Sequence, residues 1–253
     1  GVMYSYFLAD LLKNPRQNVS DIKERLKLLG YSLKETFYIV AIPPVSHSFS
    51  DLKLEVILEH LKQIFAGSIY VIYEDTIVFL ISRDMDQNLS GYEISQLSEY
   101  LTANRLKAGI SNFYQHLEDT PRFYRQAIDS VHLGLKLKDT APIYYYSDYY
   151  LYQMLELYEK EDSEIRFLIH PGLMKLYYYD REKNTDFMVT LREYLTRPGQ
   201  PAKIAENLHI HKNTLLYRMG KIKEITDCDF IEGEDFMNFN LSVRIMRYLG
   251  MIE

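Results

Sequence analysis

The sequence predicts an α+β protein: a ferredoxin-like α/β domain followed by an all-α domain that contains a helix-turn-helix. Three observations carry this. Up to Tyr146, short β-branched and aromatic runs alternate with amphipathic helical stretches. From Ser147 onward no strand-like run occurs. Within that second part, Pro201–Ile222 has the apolar-small-apolar spacing of two short crossing helices. The 253 residues are 47% hydrophobic and 25% charged, which is ordinary globular composition and excludes a disordered chain. At roughly 100–200 residues per domain, this length fits one large domain or two small ones.

In order along the chain, Met3–Lys13 and Ser20–Leu29 read as two short amphipathic helices, and Gly30 stops the second. Thr36–Ile42 (TFYIVAI), bounded by Pro43-Pro44, reads as a buried strand. Asp51–Phe65 sets Leu54, Ile57, Leu58, Leu61 and Ile64–Phe65 on one helical face. Ile69–Tyr73 and Thr76–Ile81 are strands joined by Glu74-Asp75, a hairpin spacing. Tyr92–Thr102 follows as a helix and Leu106–Ser111 as a strand. Thr120 as N-cap and Pro121 as first helical residue open a helix to about Lys138, which should bury Phe123, Ala127, Ile128, Val131 and Leu135. Ile143–Tyr146 is a last short strand. The order β-α-β-β-α-β, then α-β, is a ferredoxin-like layout with helices on one face of an antiparallel sheet.

The remainder reads as helices only. Ser147 or Asp148 caps one that runs to about Lys160. Glu164–Ile169, Pro171–Tyr179, Asp186–Thr196, Pro201–Leu208, Lys212–Ile225 and Asp235–Met251 follow. Four parts result: an N-terminal helical segment (1–30), the α/β domain (31–146), a helical connector (147–180) and the helix-turn-helix domain (181–253). Gly1-Val2-Met3 reads as an unnatural start, so a further domain is expected upstream. The tyrosine clusters Tyr144–Tyr146 and Tyr177–Tyr179 read as packing rather than as a platform for bases.

The longest apolar runs fall far short of the ~20 residues that span a bilayer, and there is no secretory signal pattern. One cysteine, Cys228, excludes an internal disulfide framework and fits a reducing, cytoplasmic compartment. The net charge of -6 argues against a surface coated for nucleic acid. That average conceals a basic island. Between Leu191 and Lys223 stand seven basic residues and two acidic ones, a local charge of +5 that leaves −11 on the rest.

The island coincides with PAKIAENLHIHKNTLLYRMGKI (Pro201–Ile222). Ile204 and Leu208 share one face of the first helix, and Ala205 is small enough for a second helix to approach. His209-Ile210-His211 makes the turn, with Ile210 inward, and His209 stands where such turns often have glycine. Leu215, Met219 and Ile222 form the buried stripe of the second helix. Its other face holds Lys212, Asn213, Thr214, Tyr217, Arg218 and Lys221, with Lys203 on the preceding helix and His211 as cap or phosphate neighbour. Cations neutralise phosphate and reach guanine edges, asparagine pairs with adenine, and hydroxyls donate to phosphate. These eight residues are the expected DNA contacts.

These stretches resemble a known family. HPGLMKLYYYD (His170–Asp180), TLREYL (Thr190–Leu195) and IHKNTLLYRMGKIKEIT (Ile210–Thr226) are similar to the C-terminal DNA-binding domain of PucR-type and CdaR-type (sugar-diacid) bacterial transcription regulators. His211, Asn213, Thr214, Leu215, Tyr217 and Arg218 match the family pattern, Lys212 replaces an arginine, and Asp227 stands in place of a glycine. The resemblance implies a degenerate GGDEF-like domain over about Leu33–Tyr146, with GISNFY (Gly109–Tyr114) and Phe123–Lys138 as its last core strand and helix. It also implies a transcription regulator that binds double-stranded DNA as a homodimer, with a small-molecule effector acting through an upstream domain.

Catalysis is not expected. A diguanylate cyclase needs a glycine-rich hairpin and metal-binding carboxylates. The hairpin here reads YEDTIVFL and the first strand ends IVAIPPV. His209 and His211 form an isolated H-x-H, too few ligands for a metal, and neither cofactor nor catalytic residues are expected. The alternative reading is a small-molecule or nucleotide-binding regulatory module, a relic cyclase acting through protein partners.

Overall fold

The computed structural model describes residues 2–13, 19–28, 30–44, 54–159 and 164–253. They form two compact units, Gly1–Gln153 and Met154–Glu253. The first unit contains α1 (Val2–Lys13), α2 (Val19–Leu28), β1 (Thr36–Ile42), α3 (Leu54–Ile64), β2 (Ile69–Tyr73), β3 (Thr76–Arg83), α4 (Gly91–Ala103), β4 (Ala108–Ile110), α5 (Thr120–Lys136) and β5 (Ile143–Tyr145). The helix α6 (Tyr146–Glu159) starts in it and ends in the second. Positions 51–53, the expected start of α3, and 29 and 160, the expected ends of α2 and α6, lie outside the described residues.

The sheet order is β2-β3-β1-β4-β5. The first four strands are antiparallel, with Thr36 opposite Arg83, Ile42 opposite Ile77 and Val40 opposite Ile110. That is the ferredoxin-like order. β5 adds to its edge parallel to β4. The two-residue hairpin Glu74-Asp75 has φ of 47° and 63°, both left-handed, as a tight turn matched to strand twist requires.

The alternation within β1 assigns its residues to two cores. Val40 and Ile42 face Ile57 and Leu61 of α3 and Leu97 and Leu101 of α4. Phe37, Ile39 and Ala41 face Leu8, Leu11 and Leu12 of α1 and Ala127 of α5. Helices therefore cover both faces of the sheet, not the single face expected. The central strands explain why. TFYIVAI is apolar at both parities, so neither face of it tolerates water.

The start of α5 also differs from expectation. Asp119 occupies the N-cap position and Thr120 is already helical, because a 3₁₀ turn (Leu117–Asp119) runs straight into the helix. The Thr120 hydroxyl, fully buried, donates back to the Leu117 carbonyl and bonds the Tyr114 hydroxyl. Leu135 is 39% exposed. The buried residues of α5 are Thr120, Ala127, Ser130, Val131, Leu133 and Gly134, so Leu133 is buried where Leu135 was expected. Gly109 of β4 shows how closely α5 approaches the sheet: a Cβ there would collide with the Ala127 carbonyl oxygen. This is the glycine that opens GISNFY.

The second unit is helical among its described residues. After α6 comes a single 3₁₀ turn (Ile165–Leu168) where a helix was expected. Then come α7 (Pro171–Lys183), α8 (Phe187–Thr196), α9 (Pro201–Asn207), α10 (Lys212–Thr226) and α11 (Gly233–Tyr248). Neither Ser147 nor Asp148 caps α6, because the helix begins at Tyr146 directly after β5. Stacked Phe230 and Phe239, both fully buried, anchor the core of this unit, with Tyr194 edge-on to Phe230. Among the described residues no helix is long and apolar enough to cross a membrane.

Gly109→Ala is expected to lower the stability of the first unit by about 3 kcal/mol or more, since its Cβ meets backbone that cannot step aside. The urea midpoint checks this, and an unchanged midpoint would contradict the β4–α5 packing.

Candidate nucleic-acid interface

The turn between α9 and α10 is built by backbone hydrogen bonds. The Ile210 N–H donates to the Ala205 carbonyl at 3.0 Å and the His209 N–H to the Glu206 carbonyl at 3.0 Å. This is a Schellman motif, with His209 in the left-handed position at φ 53°. Glycine is the usual occupant because a Cβ is crowded there. Ile210 then folds inward onto Ile204, Ala205 and Leu215, the apolar contact that accompanies such a motif.

α10 starts at once. His211 is its N-cap, and the imidazole Nδ1 accepts from the Asn213 N–H at 3.2 Å. Leu215 and Ile222 are buried and Met219 half-buried, the expected stripe. Asp227 closes the helix in the left-handed conformation, φ 54°, at the position where the family pattern has glycine.

Two further contacts hold α10 in place. The Arg218 guanidinium donates to the Thr190 hydroxyl of α8 at 3.0 Å. At the other end, a Cβ on Gly172 would lie 2.8 Å from the Thr226 carbonyl oxygen, so α7 comes against the last turn of α10. The Asp180 carboxylate accepts from the Phe187 and Met188 N–H groups at 3.0 and 2.7 Å and caps α8, whose own N-cap residue Asp186 makes no side-chain cap bond. His170, with its Nδ1 accepting from the Gly172 N–H at 3.1 Å, caps α7. HPGLMKLYYYD thus frames α10; its His170, Gly172 and Asp180 position helices.

The eight expected contacts divide into two groups. Lys212, Asn213, Thr214 and Tyr217 are exposed, and their side chains make no hydrogen bond among the described residues. The others are engaged. Lys203 pairs with Glu206 at 3.0 Å and Lys221 with Glu224 at 2.8 Å, each one turn away on the same helix. His211 is committed to its cap and Arg218 to Thr190. Within the basic island Arg197 and Lys223 also pair, with Glu193 and Asp229. The raw charge count therefore overstates the free positive charge of this face. Leu216, 57% exposed beside Tyr217, was missed as an interface candidate, although its position four residues after Lys212 puts it on the outer face.

Residues 187–245 match the PucR C-terminal helix-turn-helix domain, and residues 14–133 match a GGDEF-like domain. The chain thus carries a PucR-type helix-turn-helix domain and a GGDEF-like domain. It is similar to the purine catabolism regulatory protein of Bacillus subtilis (strain 168), at 26% identity over 180 residues, covering 69% of this chain and 33% of that one. It is also similar to the DNA-binding transcriptional activator AdeR of the same organism, at 23% over 236 residues, covering 89% and 55%. The chain thus spans a third to about half the length of these relatives. Among solved structures, a regulator of polyketide synthase expression from Bifidobacterium adolescentis aligns with TM-score 0.45 and 14% identity over 97% of this chain and 92% of that one. In this PucR-type domain α9 and α10 are the helix-turn-helix.

The left-handed corner yields a direct test. His209→Gly should keep or raise the thermal midpoint, whereas His209→Val should cost about 1–2 kcal/mol, because a β-branched residue tolerates positive φ worst. Equal midpoints for the two variants would contradict the assigned turn.

Proposed function

We propose that the protein is a sequence-specific DNA-binding transcription regulator, without enzymatic activity, that works in the cytoplasm as a homodimer. In this reading α10 enters the major groove by its N-terminal half, and the first unit serves dimerisation or signal transmission. The observation that carries it is the set Lys212, Asn213, Thr214 and Tyr217: exposed, unbonded, and on the first turns of a helix whose start is locked by the Schellman corner. The PucR-type domain match and the regulators among the relatives support it.

Roles follow from the chemistry. Asn213 reads a base edge, most simply adenine, and Thr214 and Tyr217 donate to phosphate or touch a thymine methyl. Lys212 contacts phosphate. Lys203 and Lys221 join it by exchanging their exposed, weakly held glutamates for phosphate. Arg218, tied by one nitrogen to Thr190, presents its remaining N–H groups, and His211 sets where the helix begins.

One such face is small, so two copies on half-sites about 34 Å apart are needed for useful affinity. A second copy has apolar surface to cover: Met154, Leu157 and Tyr158, spaced three and four residues apart on α6, are 59%, 58% and 44% exposed.

DNA retention across a salt series tests the main reading. Binding should weaken steeply with salt, and Lys212→Ala should lower the log–log slope by about 1 on every sequence. Asn213→Ala should instead relax preference at one base position while generic binding persists. Salt-independent or absent DNA binding would overturn the proposal. For the assembly, light scattering should give a dimer mass that Leu157→Glu shifts toward monomer; a monomer at every concentration would overturn the homodimer.

A further inference from the structure

The first unit carries a cleft of about 740 Å³, in the range of small-molecule sites. It lies at the carboxyl ends of the parallel pair β4 and β5, where Ser111 and Asn112 follow one strand and Tyr146 and Ser147 follow the other. Because β1 runs antiparallel to β4, this end of the sheet is where β1 begins, and Tyr38 in its first half lines the cleft. The Glu74-Asp75 hairpin is at the opposite end, beyond the pair Ile42 and Ile77. The cleft is therefore not the relic of a cyclase hairpin site.

Its polar lining offers donors. Arg122, in the first turn of α5, is exposed and has no ion pair or hydrogen bond among the described residues, in a chain of net charge -6. The Tyr38 hydroxyl donates to Asn88 Oδ1 at 2.9 Å, and the Asn112 N–H donates to Gln126 Oε1 at 3.2 Å. Both amide oxygens are thus occupied internally, and both amide nitrogens are without a partner among the described residues. Much of the remaining lining is aromatic, from Tyr38, Phe113, Phe123, Tyr145 and Tyr146, and Phe113 is 57% exposed.

We propose that this cleft binds a small planar organic anion rich in hydrogen-bond acceptors, a heteroaromatic carboxylate being the simplest form. Arg122 takes the carboxylate as a fork, the Asn88 and Gln126 amide nitrogens donate to ring or exocyclic acceptors, and Phe113 covers one ring face. The assignment stands independently of DNA binding by α10, so it is tested without DNA.

Calorimetric titration of the full chain with orotate and with pyridine-2,6-dicarboxylate should show saturable binding. Benzamidine, planar but cationic, and inorganic phosphate, anionic but not planar, should not bind. Arg122→Gln, at an exposed position, should melt as the parent does and weaken orotate about tenfold or more. Phe113→Ala should weaken orotate and leave the melt unchanged. No binding of either planar acid at millimolar concentration, equal affinity in Arg122→Gln, or phosphate binding as tightly as orotate would each overturn the proposal.

Discussion

The hydrogen bond from the Ile210 N–H to the Ala205 carbonyl determines the exposed face of this protein. It closes α9, forces His209 into the left-handed region and turns Ile210 inward. Only then does His211 stand where its Nδ1 can cap α10. The start of α10 fixes the rotation of the helix, and the rotation decides which residues face out. Had the turn been one residue longer, the helix would rotate by about 100° and Leu215 would leave the core. The four unbonded side chains of α10 are thus a consequence of backbone geometry at a residue that itself touches nothing they touch.

Where a segment's own pattern decided its structure, the sequence was sufficient. β1 and β2 have the bounds read from their β-branched and aromatic runs, β3 starts at Thr76 as read and runs on to Arg83, and Leu215 and Ile222 are buried as their period requires. Where a distant partner decided, the reading failed. Nothing local to Thr120 announces that its hydroxyl bonds Tyr114 in the core and so cannot cap α5. Leu135 fits the helical period, but the buried residues of α5 include Ala127, Ser130, Leu133 and Gly134, and Leu135 stays exposed. The second layer of helices was legible in principle, since a strand apolar at both parities needs cover on both faces. The outer face of α10 was legible as residue types, with Lys212, Asn213, Thr214 and Tyr217 exposed. The division between free and engaged side chains was not, because Arg218 is held by Thr190, 28 residues away in the chain.

The left-handed positions illustrate a related point. Where the family pattern or the turn geometry favours glycine, this chain has His209 and Asp227, both at positive φ. Each costs some stability relative to glycine. In return each keeps a polar side chain at a corner of α10, and a residue with a Cβ narrows the other conformations the corner can visit. A recognition helix gains from that restriction, because a base contact depends on placement to a fraction of an ångström.

The same economy of free groups appears in the electrostatics of α10. A face of seven unpaired cations would bind any duplex through phosphate alone, and its affinity would say little about sequence. Here most of those cations carry a carboxylate neighbour on the same helix or an adjacent loop, and Lys212 stands unpaired among hydrogen-bonding side chains. The internal carboxylates must be displaced before phosphate can be held, which lowers the yield of each generic contact. The Asn213 side chain, exposed and unbonded among the described residues, has no such competitor. Under the proposed function the ratio between specific and generic binding rises accordingly, and an acidic chain of net charge -6 carries a DNA-reading helix without the indiscriminate affinity that a bare basic patch would confer.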